Sequence, residues 1–371
     1  MMTPKEIYYF LGRCLALGEA PQLKDEVLRT IGKPSFSWEQ FVQVGSSHLV
    51  LPALYVKLKG ADLLPHLPKE LVAHLEEIHS MNLERNKNFL QQVHWLVALL
   101  QKEGIHPVLL KGAGALLDKL YLDPAERVIS DIDCLVSEKN FYKAVELLKA
   151  EGYRSPPFHP ASLPMMHHYP SLFKPNEPAA IEIHRYPVGR RQLKYLDMDT
   201  LNAQLFQSRN PHPPLILNGH KQILINVIHS QLKDKGQYYA NIPLRNIYEF
   251  YRLSVKHDLS NMEIHHPRLK RVFNNYMAVG AKLFSPAFQF PLKKSPGAKF
   301  FMVRFELNKS SRFYARWSKT TRSVADLIHT YLLIISRAVA HQEVRRYLQV
   351  RLSNPRWYRH HLSVLRKRFL K

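Results

Sequence analysis

The sequence predicts an α+β protein, with a small mixed sheet set between helical regions. Three observations carry this. Apolar residues recur at helical spacing through the first hundred positions. After Gly104 the pattern changes to short apolar runs separated by turn residues. From His220 onward helical spacing returns. Three regions follow: a helical N-terminal region over 1–100, a core over 101–215, and a helical, strongly basic region over 216–371.

Leu51, Leu54, Tyr55 and Leu58 share one helix face, as do Leu90, Val93, Leu96 and Leu100. Gly104 breaks the second helix. Ile105–Leu110 reads as a buried strand, and Lys111-Gly112-Ala113-Gly114 then opens a helix running to Tyr121. Asp123-Pro124 is a turn, Asp131–Val136 a second strand, and Asn140–Gly152 an amphipathic helix closed by a C-cap glycine. Ser171–Lys174 and Ala180–Arg185 flank a Pro-Asn-Glu-Pro turn and read as a hairpin. Further on, Ile223, Val227 and Ile228 form one apolar helix face, and Leu244, Ile247, Tyr248 and Tyr251 another. Prolines punctuate 286–296, and the basic, aromatic segment from Asn354 reads as an amphipathic helix.

Composition narrows the class. Apolar residues make up 46% of the 371, which fits a folded chain. The net charge is +23, which draws polyanions: nucleotides, nucleic acid or an anionic membrane face. From Phe301 onward there are sixteen Lys/Arg against three Asp/Glu, so the C-terminal part is a separate electrostatic object. Cys14 and Cys134 make neither a disulfide framework nor a C-x-x-C zinc site. The N-terminus reads as an amphipathic helix rather than a signal peptide. The apolar stretch Val324–Ala340 holds Asp326, His329 and Arg337, so no transmembrane segment is expected. The expected location is the cytoplasm, either free or peripheral on an anionic membrane.

The chemistry centres on Asp131 and Asp133. On a strand both carboxylates face the same side, where they repel unless a cation joins them. Mg²⁺ or Mn²⁺ would satisfy them and keep positions for phosphate oxygens, an arrangement that phosphoryl and nucleotidyl transfer require. A second D-x-D, Asp197 and Asp199, lacks comparable context. Glu182, with His184 on the same strand face, would complete a metal triad as ligand, general base or both; alone it reads as a surface glutamate. Lys111 and Gly112 suit a phosphate seat at a helix start; alone they read as an ordinary strand-to-helix turn. Arg127 could bind phosphate or pair with an acid.

In this order the motifs LLKGAGALL, Tyr121, Arg127, DIDCLV, the helix ending EGYR and the later IEIHR resemble nucleotidyltransferase family five of the polymerase-beta superfamily. The resemblance spans roughly residues 40–255 and is strongest from Val108 to Tyr153. It implies a polymerase-beta-like mixed sheet, two Mg²⁺ ions, and transfer of an NMP from an NTP to a hydroxyl. Asp131 and Asp133 match its metal-binding pair, Lys111-Gly112 its phosphate turn, and Glu182 its Glu-x-His strand. His229 matches a downstream helical His, while Glu249 stands where the family tends to carry Asp. Cys134 replaces an aliphatic residue and reads as a buried strand thiol.

Other classes lack support. There is no G-x-S-x-G, P-loop or H-E-x-x-H. His167 and His168 precede the hairpin and could border the site. The cluster Arg345, Arg346, Arg351, Arg356, Arg359, Arg366, Lys367 and Arg368, with Trp357 and Tyr358, suits RNA or single-stranded DNA, an anionic membrane, or simply a solvated face. The reading is a Mg-dependent nucleotidyltransferase with an unnamed acceptor: RNA, protein, a sugar or a small molecule. The alternative is a non-catalytic nucleotide- or RNA-binding module, or one half of a toxin–antitoxin pair.

Overall fold

Helices form where the apolar spacing is strongest. In the computed structural model, which describes residues 2–157, 166–206, 215–259, 262–288, 295–355, 357–359 and 362–363, they begin with α1 (Pro4–Leu15), α2 (Lys24–Ile31), α3 (Trp38–Ser47), α4 (Leu51–Gly60) and the 34-residue α5 (Lys69–Lys102). A capping box starts α1: the Thr3 side chain accepts from the Glu6 amide, and the Glu6 carboxylate accepts from the Thr3 amide. Leu51, Leu54, Tyr55 and Leu58 are all buried, as the spacing requires. Gly104 ends α5 at φ +69°, a conformation that favours glycine.

The core elements are β1 (Val108–Leu109), α6 (Lys111–Leu117), β2 (Asp131–Leu135), α7 (Phe141–Ala150) and β3 (Ala180–His184). The sheet order is β1-β2-β3, with β1 antiparallel and β3 parallel to β2. This is the small mixed sheet expected, and the α+β class holds. Two elements are shorter than their patterns. Only Val108–Leu109 of the first apolar run ladders, and α6 ends at Leu117, after which Lys119 takes a left-handed φ of 49°. The hairpin is present, but its first arm pairs through isolated bridges: Leu172 with Ile181 and His168 with His184. Gly152 closes α7 at φ +89°.

The remaining elements are α8 (Met198–Phe206), α9 (Gly219–Val227) continued by a π-helical turn (Ile228–Lys233), α10 (Gly236–Tyr239), α11 (Leu244–Lys256), α12 (Pro267–Phe284), α13 (Pro296–Ser310), α14 (Arg312–Ala340) and α15 (Gln342–Leu352). The Asp197/Asp199 motif is a helix start: Asp197 accepts from Thr200 N and Oγ1 at 3.1 and 2.6 Å.

Contacts divide the chain into two compact units, residues 1–156 with 167–306, and 157–166 with 307–371. The three regions of the sequence are regions of pattern; the two units are units of contact. In the first unit, α1, α4, α11 and α12 share one hydrophobic core, where Tyr8 donates to Ile242 O at 3.0 Å. Buried polar ties hold the segment before β2. Asn82 and Asn86 of α5 donate to the carbonyls of Pro124, Ala125 and Arg127. Glu126 receives Tyr248 Oη at 2.5 Å and pairs with Lys57 at 3.4 Å.

In the second unit, Arg345 of α15 donates to the carbonyls of Ala338 and Val339, satisfying the end of α14. One described helix, Phe313–Ala340 within α14, is long and apolar enough to cross a membrane by length and composition alone. Residues 357–359 and 362–363 are helical, consistent with the helix expected from Asn354. Arg356, His360, His361, Arg366, Lys367 and Arg368 lie outside the described residues, as do 289–294 of the proline-punctuated stretch.

Candidate active site

Strand register assembles the site. β2 and β3 pair so that Asp133 stands opposite Glu182 and Leu135 opposite His184. Alternation along β3 puts Glu182 and His184 on one face. Asp133, Glu182 and His184 therefore converge, with one ligand atom of each lying within 4.8 Å of the others. Among the described residues this is the group able to hold a metal ion. Asp131 is two residues away on the same strand face but outside this group; its carboxylate accepts from Ser130 Oγ at 2.7 Å.

The donor set fits a cation. His184 is fully buried, and its Nδ1 lies 3.3 Å from Tyr186 O, so Nδ1–H donates to that carbonyl. While the ring is neutral, Nε2 then presents a lone pair. It lies 2.9 Å from Asp133 Oδ1 and 3.5 Å from Glu182 Oε2, yet has no partner in hydrogen-bond direction. A lone pair aimed between two carboxylates is repulsive until a cation enters or the ring takes up a proton.

Lys111, at the first position of α6, spans to β2 and places Nζ 2.5 Å from Asp133 Oδ1. Burial alone would raise Asp133, but His184 and Lys111 outweigh it and hold this carboxyl well below its ordinary range. Burial is likewise overcome at Glu182, which is lowered to about 2 by His184, His168 and a 2.7 Å bond from Ser171 Oγ. His184 moves the other way: burial lowers it, and the two carboxylates raise it further. His168 sits 3.8 Å from Glu182, and the His167 ring is 5.5 Å from that of His184, so both histidines border the site.

A cleft shares Lys111 with this cluster and is lined by Arg127, His229, Asp234, Arg245 and Glu249. Arg127 is buried with its Nε 2.7 Å from Glu249 Oε2. Of its two sequence readings, the pairing with an acid is what the structure contains, and Glu249 thereby acquires a partner. Arg245 faces the same cleft; burial and then the neighbouring Arg127 lower it. The π-helical turn carries His229, whose Nδ1 is 3.0 Å from Asp234, and Lys233, whose Nζ is 3.3 Å from His229 Nε2. Burial and then Lys111 lower Lys233.

The glycines of the expected phosphate turn also have a packing reason. A Cβ on Gly112 would stand 3.0 Å from the Ile129 side chain, and one on Gly114 2.7 Å from Leu109 O. Cys134 is buried and free, and burial pushes its thiol up, as expected of a strand thiol. Ser171, Lys233, Asp234 and Arg245 were not singled out by sequence reasoning; only Ser171, at the start of the hairpin, carries a local signal.

The family model of an uncharacterised nucleotidyltransferase matches residues 34–272. The chain belongs to this family. The match runs from just after α2 into α12, so it takes in the whole sheet, the metal-capable cluster and the cleft. Comparison with curated proteins and with solved structures finds no match. This nucleotidyltransferase carries its Asp133, Glu182 and His184 cluster within the family's span, and α14 and α15 outside it.

Proposed function

We propose that the protein moves a nucleoside monophosphate from an NTP to a hydroxyl of an acceptor, with a divalent cation held by Asp133, Glu182 and His184 and with Asp131 completing the carboxylate set. The supporting observation is the buried, undirected Nε2 of His184 between two carboxylates on paired strands. When bound, the cation would polarise the phosphate oxygens and lower the pKa of the attacking hydroxyl. Mg²⁺ or Mn²⁺ would serve, and an imidazole in the ligand set favours Mn²⁺ more than carboxylates alone do.

The chain's own groups supply the rest. Lys111 and Arg245 offer positive charge to the triphosphate from the cleft side, with Arg127 and Gly112 beside them. Lys233 keeps a positive group near the same anions. Ser171 fixes Glu182 through its 2.7 Å hydrogen bond, and the Tyr186 carbonyl holds the His184 ring in orientation. Positioning and charge stabilisation are what such a transfer demands of a protein, since little covalent work falls to its side chains.

Presenting RNA, protein, sugars and small molecules with labelled NTPs, Mg²⁺ and Mn²⁺ tests the reading and identifies the acceptor. Label transfer with pyrophosphate release, lost in Asp133→Asn, is the expected result. Salt-dependent RNA binding with no turnover of any NTP would instead favour a non-catalytic module.

A further inference from the structure

The C-terminal helical unit shows an inverted burial pattern. In α14 the residues Phe313, Trp317, Val324, Ile328, Ile335 and Val339 recur at spacings of about three to four or their sum, so they form one stripe. A surface helix of a water-soluble unit turns such a stripe inward. Here it faces out. Phe313 is 81% exposed and Val339 79%, while Ser318 and Ser323, on the polar side of the same helix, are each 3% exposed. The unit also carries fifteen Lys/Arg against two Asp/Glu over residues 307–371. Arg316 and Lys319 are exposed in the first turns of the same helix.

We propose that this face is a docking surface for an anionic lipid bilayer. The α14 stripe enters the boundary between headgroups and acyl chains, and the surrounding basic side chains meet the headgroup phosphates. Two features select a lipid surface among polyanions. The exposed stripe is aliphatic along most of its length, with Val324, Ile328, Ile335 and Val339, where a nucleic acid would call for aromatic platforms. An apolar stripe beside arginines and lysines, with Trp and Phe at one end, is the composition of helices that lie in a membrane interface. Surface docking rather than crossing follows from Arg316, Lys319, Arg322 and Asp326 in the first half of the helix and Arg337 near its end. The proposal does not rest on the transfer reaction, and residues of the metal-capable cluster take no part in it.

Flotation of the full chain with preformed vesicles tests it. The protein should float with phosphatidylcholine–phosphatidylglycerol vesicles and much less with phosphatidylcholine alone. The double variant Ile328→Asp, Ile335→Asp should lower the bound fraction about tenfold, and Arg316→Gln with Lys319→Gln should weaken binding in a salt-sensitive way. Both changes are at exposed positions, so melting curves should match the parent, and NTP turnover should be unchanged. Release of bound protein by alkaline carbonate supports a surface helix; retention overturns it in favour of a crossing one. Absence of flotation also overturns the proposal, whether it comes with salt-dependent binding of a single-stranded oligoribonucleotide or with a dimer that the stripe variants dissolve.

Discussion

At the scale of single residues, groups placed to touch a cation differ from groups that hold the site together. Asp133→Asn keeps the shape but removes a charge that faces both Lys111 and His184, and turnover should fall about 100-fold or more. Asp131→Asn tests the carboxylate outside the three-residue group; a large loss of turnover there would mean that substrate or metal draws it in. His184→Ala should weaken Mn²⁺ binding about 10- to 100-fold, read by titration calorimetry, with a smaller effect on Mg²⁺. Glu249→Ala should act on stability instead. It leaves Arg127 buried without its 2.7 Å partner, at a cost of about 3 kcal/mol in denaturant melts. Period-two alternation made the shared face of Glu182 and His184 legible in the sequence. The choice of partner for Arg127 was not, because Glu249 arrives from α11, far along the chain, and no local pattern encodes that meeting.

At the scale of elements, the sequence is most readable where a local rule decides. Gly104 and Gly152 end their helices because the reversed φ at each position is easy for glycine, and the apolar period of α4 and α11 matches their buried faces. It is least readable where packing decides. The parallel pairing that sets Asp133 opposite Glu182 is a choice of register between neighbouring strands that lie far apart along the chain. Lys233 and Asp234 reach the site through a π-helical turn that α9 adopts without a Pro or Gly to announce it. Buried Asn82 and Asn86 interrupt the apolar face of α5 because they serve the carbonyls of 124–127 rather than the core. The glycines of α6 test this packing view. Gly114→Ala should cost about 1–3 kcal/mol in thermal melts, because its Cβ meets backbone at Leu109 O. Gly104→Ala meets nothing within 4 Å and should cost about 1 kcal/mol through its φ alone.

At the scale of the whole molecule, helices from both ends of the first unit build one core around the segment before β2. That is why the regions of the sequence and the units of the structure have different borders. Titration of the metal-free protein follows from the buried groups of the site. His167 is lowered to about 2, by burial first and then by His168 and His184, so it favours the neutral ring. An unfolded histidine takes its proton near pH 6.5, so this contribution is complete above that value and declines as the pH falls below it. Glu182, lowered to about 2, adds a second loss as the pH falls below the unfolded carboxyl value near 4. His184, raised by its carboxylates, contributes with the opposite sign: its part is full below about pH 6.5 and is lost as the pH rises through its folded value. His167→Asn should therefore flatten the fall in melting temperature between about pH 7 and 5.

The most direct measurement is pyrophosphate release from NTPs with Mn²⁺, comparing the parent chain with Glu182→Gln, a change that preserves shape and removes one charge. The variant should melt within a few degrees of the parent, bind Mn²⁺ more weakly and release pyrophosphate about 100-fold more slowly. A folded Glu182→Gln protein that retains the parent's Mn²⁺ affinity and turnover would contradict this expectation.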